Sequence, residues 1–342
     1  MLRISYQELF EALRSALLKL GIEPERASLC ARLFAETTCD GVYSHGLNRF
    51  SLFVRTIHNG TVNIHARPEL VGSCGALERW DGKFGIGNLN AYEAMDRAIE
   101  LARRHGIGCV ALANTNHWMR GGTYGWQAAD AGLIGICWTN TLANLPPWGA
   151  SDPLLGNNPL VIAVPRPEGH VVLDMAMSQF SYGRLNSYQM AGRQLPVNGG
   201  YDLEGKLTRD PTAIQKSRRA LPIGYWKGSG LSLVLDLMAA MLSGGQATHQ
   251  IPRDPEFEKG LSQNFIAINV TALDQNNLAA QIADQIIESL QAEARRTGEL
   301  VRYPGEHVAQ TRRENLELGI PVEQSVWDEL VRCDLESHKS QA

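Results

Sequence analysis

Residues 159–177 read PLVIAVPRPEGHVVLDMAM, two apolar runs on either side of a short turn of proline, charge and glycine. Both runs are rich in Val, Leu and Ile, and the turn is too short for a crossover helix, which predicts an antiparallel pair of strands. GCVALAN (108–114), GLIGICWTN (132–140) and FIAINV (265–270) are further β-rich runs bounded by Gly and Asn. Helical spacing is read over Ala91–His105 and Ser229–Leu242. Strands and helices do not alternate regularly, so a doubly wound parallel sheet is disfavoured and a mixed, mostly antiparallel sheet is expected.

Outward from this sheet, both chain ends read as helix. Ser5-Tyr-Gln-Glu8 is a capping box, and Leu9, Leu13, Ala16, Leu17 and Leu20 recur at helical spacing until Gly21. A second helix from Pro24 carries Ala27, Cys30, Leu33 and Phe34 on one face and ends near Thr37–Asp40. Further helices are expected from Asn277 to about Thr297 and from Val322 to about Cys333. The fold class is therefore α+β, a mostly antiparallel mixed sheet packed with a helical layer from both ends. Between about Leu185 and Tyr225 runs a polar, basic, proline-containing stretch. A connection that long in a compact protein is usually functional, often a cover over an active site.

The composition narrows the function. With 342 residues, a formal charge of −4 and a pI near 6.2, the chain lacks the basic face that nucleic acid or an anionic membrane requires. Its six cysteines show no CxxC or Cys–His spacing, which predicts reduced thiols in a reducing compartment. The first residues mix acidic and apolar side chains, unlike a signal peptide, and no run is long enough to span a bilayer, so a cytoplasmic location is expected.

Several clusters could carry chemistry. Gly85-Ile-Gly87-Asn88 lacks the third glycine and the downstream acid of a dinucleotide fingerprint, so it reads as a tight turn before the Ala91 helix. Tyr43-Ser44-His45-Gly46-Leu47-Asn48-Arg49 gathers a hydroxyl, an imidazole and a guanidinium around a glycine that lets the backbone approach a ligand. His45 has the ordinary pKa for proton transfer at neutral pH, and Arg49 the fork for a carboxylate. The same segment also fits a helix end with a surface histidine. Asn114 to Gly122, with His117 and Arg120, follows a strand, where sites commonly collect. A hydrogen-bonded polar turn fits it equally well.

Asn140, Asn144, Asn157 and Asn158 suit structural turns or a polyhydroxylated substrate. Asp174 is a lone carboxylate in an apolar strand and needs a partner. Gly224 to Gly230, with Trp226 and Lys227, opens a helix whose amides suit a phosphate or no ligand at all. His45, His117, His170 and His307 lack paired spacing, so no metal site is expected. No GxSxG elbow supports a Ser/His hydrolase.

Taken in order, YSHGLNRF, NHWMRGGTYGWQAA, GICWTN, PPWGA, LDMAMS, GRQLPV, GYWKGSG and PGEH resemble the malate/L-lactate dehydrogenase family that is distinct from the Rossmann-type enzymes. The resemblance runs almost from end to end. It implies a homodimer that reduces a small keto acid, specifically a 2,3-diketo acid at C2, with NADH or NADPH as cofactor and His45 as proton donor. Malate, lactate, ureidoglycolate or a cyclic imino acid are the alternatives within the family; a metal- or Ser/His-dependent hydrolase is the alternative outside it.

The implied cofactor contacts are His170, Val171, Val172, Leu173, Asp174, Met175 and Ala176, then Trp226, Lys227, Gly305, Glu306 and His307. Arg49 or His117 is expected to grip the substrate carboxylate, and Asp174 to orient an imidazole or the nicotinamide amide. Residues 1–75 with 275–342 would form a helical, dimerising region, and 76–274 the sheet domain that binds cofactor and substrate. The family pattern reads Gly-His-Glu where this chain has Gly305-Glu306-His307, and it carries an acidic residue near position 186, here Asn186.

Overall fold

A computed structural model describes residues 2–272, 274, 277–298 and 300–336. Its main sheet takes in β2 (Glu69–Cys74), β3 (Leu77–Asp81), β4 (Ile107–Thr115), β5 (Ile134–Thr139), β6 (Leu160–Val164), β7 (Val171–Met175) and β10 (Leu261–Ile268). Their order is β2-β3-β4-β10-β5-β6-β7. Only the β3–β4 pair is parallel; the others are antiparallel, as the sequence predicts. β6 and β7 pair in the expected hairpin, with Leu160 opposite Met175 and Val164 opposite Val171.

Helices cover both faces. On one side α4 (Gly87–His105) and α5 (Gly122–Asp130) press Ala94, Met95, Ala98 and Ala128 against Val110, Leu112, Val161 and Phe265. Fully burying a side chain such as Leu112 or Phe265 is worth about 1.5–3 kcal/mol. On the other side α8 (Trp226–Ser243) lays Leu235 and Ala239 on Trp138. Two helices begin upstream of the sequence expectation. α4 starts at Gly87 rather than Ala91, because the chain there presses on the His117 carbonyl, 2.3 Å from where a Cβ would stand. α8 starts at Trp226 rather than Ser229; its first turn requires the glycine at 228, where a Cβ would lie 2.3 Å from the Ile223 carbonyl.

The chain ends build a second core. α1 (Tyr6–Lys19), capped by Ser5 and Glu8 as expected, packs with α2 (Pro24–Cys39), α3 (Leu47–His58) and α11 (Gln324–Glu336) around Leu13, Phe34, Phe50 and Leu330. β1 (Leu2–Ile4) pairs with β11 (Ile320–Val322), so the helix read from Val322 starts at Gln324 instead. The boundary expected after residue 75 falls between β2 and β3, the two strands of one hairpin. α9 (Leu278–Thr297) lies apart from this helical core and ties Asp284 to Arg166, in the β6–β7 turn, at 2.5 Å. α10 (Glu306–Leu318) returns to α2, where the Arg312 guanidinium bonds the Asp40 carboxylate at 2.6 and 2.8 Å.

The polar stretch after Leu185 is ordered. α6 (Tyr182–Met190), β8 (Gly200–Tyr201), β9 (Leu207–Thr208) and α7 (Pro211–Ser217) close over a small core of Leu185, Leu195 and Ile214. Cys30, Cys39, Cys74, Cys109 and Cys137 are free thiols; the Cys333 side chain lies outside the described residues. Among the described residues no helix is long and apolar enough to cross a membrane.

Candidate active site

A tight junction between α2 and α3 presents His45. After α2 the chain turns through Gly41, which has φ +78, and a single 3-10 turn over Tyr43–His45. Gly46 then passes so close to Thr38 that a Cβ would lie 2.4 Å from its hydroxyl, which accepts the Leu47 amide at 2.9 Å. Gly46 thus serves packing against α2 rather than approach to a ligand. Ser44 Oγ stands 2.9 Å from His45 Nδ1, which leaves Nε2 for the cleft. Arg49 follows in the first turn of α3.

His117 arrives from the end of β4. Asn116 anchors that turn by donating to the Phe84 and Gly85 carbonyls at 2.7 and 2.8 Å. The Met119 amide donates to His117 Nδ1 at 3.1 Å, so the neutral ring carries its proton on Nε2. The two imidazoles stack, with centroids 5.9 Å apart and planes 21° from parallel. Burial pushes the His45 pKa down to about 4, with Arg49 and Arg120 adding to the effect. His117 is driven well below its ordinary value by burial, Arg49 and His45. Both rings are therefore neutral in the open cleft.

That cleft has a volume of about 530 Å³ and brings together His45, Arg49 and His117 with Ser44, Arg218 and Glu258. The polar stretch contributes Arg218 to its wall, and Ser181, Tyr182 and Gly183, just ahead of that stretch, line the wall as well. Asn144 and Asn157 also face it, joined by a 3.0 Å hydrogen bond. Asn140 and Asn158 are structural: Asn140 bonds Asp236 and the Ser262 amide, and Asn158 bonds the Thr141 amide and Ser232. An anion would be attracted between the imidazoles and Arg49, and its charge would favour protonating the rings.

Asp174 lies elsewhere. Its carboxylate accepts the Gly122 amide at 2.8 Å, at the start of α5, with Arg120 as the nearby cation. Burial raises its pKa, while Arg120 and that amide pull the other way. Its one hydrogen bond among the described residues goes to α5, not to an imidazole.

The residues expected to hold a dinucleotide form one continuous run. The Val172 amide donates to the Pro304 carbonyl at 2.9 Å, and Gly305, at φ +95, fits against β7 where a Cβ would lie 3.0 Å from the Val172 nitrogen. α10 begins there, and the amides of a first helical turn suit a phosphate. At the other end of β7, the Ile223 amide donates to the Met177 carbonyl at 2.9 Å, just before Trp226 and Lys227 open α8. Both of these side chains are exposed. The His170 ring is taken up by the fold: Nδ1 accepts the Arg166 amide and Nε2 pairs with Asp130, both at 3.0 Å. His170 therefore offers its backbone. His307 is exposed and Glu306 half-buried, so the exchanged order sets which of the two faces solvent. Gly305 and the start of α10 thus pack directly on β7, and the groups there that would hold a dinucleotide are the amides of the first turn of α10, with Lys227 beyond the other end of the strand.

Residues 4–331 match the family model described as Malate/L-lactate dehydrogenase. The chain belongs to the malate/L-lactate dehydrogenase family. It is 49% identical, over 95% of its length and 98% of the relative's, to 2,3-diketo-L-gulonate reductase of Klebsiella pneumoniae. Among solved structures, malate dehydrogenase from Entamoeba histolytica aligns with a TM-score of 0.91 at 25% identity, covering 98% of both chains. Delta1-piperideine-2-carboxylate reductase from Pseudomonas syringae aligns with a TM-score of 0.88 at 27% identity, covering 97% of this chain and 100% of the other. This family of oxidoreductases works through a nicotinamide cofactor, and the hydrolase alternative falls with that membership. Sequence reasoning missed Glu258, Arg218 and Arg253 on the cleft wall, since each stands in a loop without periodicity or motif.

Proposed function

We propose that this chain reduces 2,3-diketo-L-gulonate, or a close 2-keto sugar acid, at C2 to the 3-keto acid, using NADH or NADPH, with His45 as proton donor. The carrying observation is the stacked His45–His117 pair next to Arg49 in one cleft. The nicotinamide supplies the hydride. Arg49 binds the substrate carboxylate, whose negative charge raises the His45 pKa toward the working range. His45 Nε2 then gives its proton to the oxygen at C2, and His117 Nε2–H steadies the same region of the substrate. Asp174 acts at one remove, by fixing the start of α5 next to the cofactor run. The cover segment excludes water once the acid is bound.

The active unit in this reading is a homodimer in the cytoplasm. Support for the dimer comes from α8, which leaves Leu233, Val234, Leu237 and Met241 exposed on the face that also carries Trp226. Support for the compartment comes from unpaired buried thiols such as Cys30 and Cys137. The test is NADH consumption followed at its absorbance band with a panel of keto acids. His45→Gln is expected to lower kcat by about 10²–10⁴, the usual worth of a positioned acid, while NADH binding persists. A purified wild-type chain that oxidises NADH with none of these acids would overturn the reading.

A further inference from the structure

Glu258 stands out because it is a buried carboxylate in a cleft whose other charged lining residues, Arg49, Arg218 and Arg253, are cations. It lies in the loop before β10 and is only 5% exposed. Its Oε1 accepts the Leu142 amide at 3.1 Å, and its Oε2 lies 3.9 Å from Arg49 Nη2. It borders the main cleft and also a small cavity beneath, shared with Arg49, His117 and Met119. A buried carboxylate with a single hydrogen bond is expensive to keep. Glutamine would keep the Leu142 bond without the charge, so the amide contact alone does not account for an acid here. Arg49 does, being the cation that Oε2 faces.

We propose that Glu258 is a positioning residue that holds the Arg49 guanidinium on the cleft floor, oriented for the carboxylate of the keto acid. This rests on the proposed function, in which Arg49 receives that carboxylate. Glu258 has a second effect through the same contact. Arg49 is one of the cations that disfavour the imidazolium forms of His45 and His117. The charged groups acting on His45 are Arg49 from α3 and Arg120 from the turn after β4, with His117 stacked on the ring and Ser44 hydrogen-bonded to it. Arg218 and Arg253 line the same cleft, and Glu258 is the anion among the described lining residues. Its charge therefore offsets part of the field that keeps the acid deprotonated.

The test is Glu258→Gln, which retains the shape and the Leu142 bond. KM for the keto acid should rise about tenfold, within the range of contacting pairs, while KM for NADH stays unchanged. The fall in kcat/KM with rising pH should move to lower pH, because the Arg49 field is then unopposed; Glu258→Asp should restore part of both. In an Arg49→Gln background, Glu258→Gln should cost nothing further in kcat/KM, whereas additive losses would overturn the proposal. Calorimetric titration with oxalate, which needs no turnover, should show the same tenfold weakening in Glu258→Gln. A wild-type chain inactive on every keto acid, yet dependent on Glu258 for oxalate, would sink the proposed function alone. An active wild type whose Gln variant keeps its KM, pH profile and oxalate affinity would sink the role of Glu258 alone.

Discussion

His45 in the open cleft is a poor acid reservoir at neutral pH, since burial and two arginines bring its pKa down to about 4. For a group so depressed, the protonated fraction falls as pH rises through that value, and a neighbouring anion reverses the shift. The expected outcome is that kcat, which reports the loaded enzyme, holds to higher pH than kcat/KM, which reports the free one. Rate profiles for the two parameters that fall at the same pH would contradict the role of the substrate carboxylate. Next to this ring Gly183, in the first turn of α6, approaches Ser44 so closely that a Cβ would stand 2.8 Å from the serine Cβ. Gly183→Ala must push the cover or the Ser44–His45 pair aside. Displacement of about 1 Å at a reacting centre costs on the order of 10²-fold, so kcat should drop by that scale with little change in melting temperature. Unaltered turnover in Gly183→Ala would show that the cover does not seat against Ser44 during the reaction.

Secondary-structure elements were legible wherever local signals and tertiary packing agreed. The capping box of α1, the N1 proline of α2 and the β6–β7 hairpin stand where the sequence puts them. α5 was not read because its glycines resemble a loop. Gly125 is there for packing: its Cβ would lie 2.7 Å from Val161 Cγ1, and a Cβ on Gly135 would lie 2.6 Å from that of Ala128. α3 did carry a signal, with Leu47, Phe50, Phe53 and Val54 at helical spacing, hidden behind the polar motif at its start. His45, Arg49 and His117 were legible by residue type, whereas Glu258 was not, since only the folded loop brings it under Arg49. The joints between elements were equally invisible. Asp40, buried after α2, binds Arg120 from the β4–α5 turn and Arg312 from α10. Asp40→Asn leaves the buried Arg120 without its counter-charge and should destabilise the fold by about 3–5 kcal/mol. Urea unfolding measures this directly, and a loss below about 1 kcal/mol would mean that Arg120 finds another partner.

At the scale of the molecule, the open question is what covers α8. The helix is apolar on both sides, yet the residues it buries are mostly small or polar: Gly228, Ser229, Ser232, Leu235, Asp236, Ala239 and Ser243. On the outer side Leu233, Val234, Leu237, Met238 and Met241 are 40–72% exposed, and Trp226, one of the expected cofactor contacts, continues the same stripe at 65%. Monomeric proteins seldom leave a continuous apolar surface of this kind open to water. A closed twofold assembly would cover the stripe with its own copy, because an isologous interface places the same patch on both partners. If the proposed dimer forms here, assembly and cofactor binding share a surface. Leu237→Glu combined with Met241→Glu would set like charges against each other across the axis. The pair of changes should yield monomers by light scattering and a higher KM for NADH, with the fold intact by circular dichroism. The stripe would have some other occupant if the double variant remained dimeric. Monomers that bound NADH as tightly as wild type would separate assembly from the cofactor site.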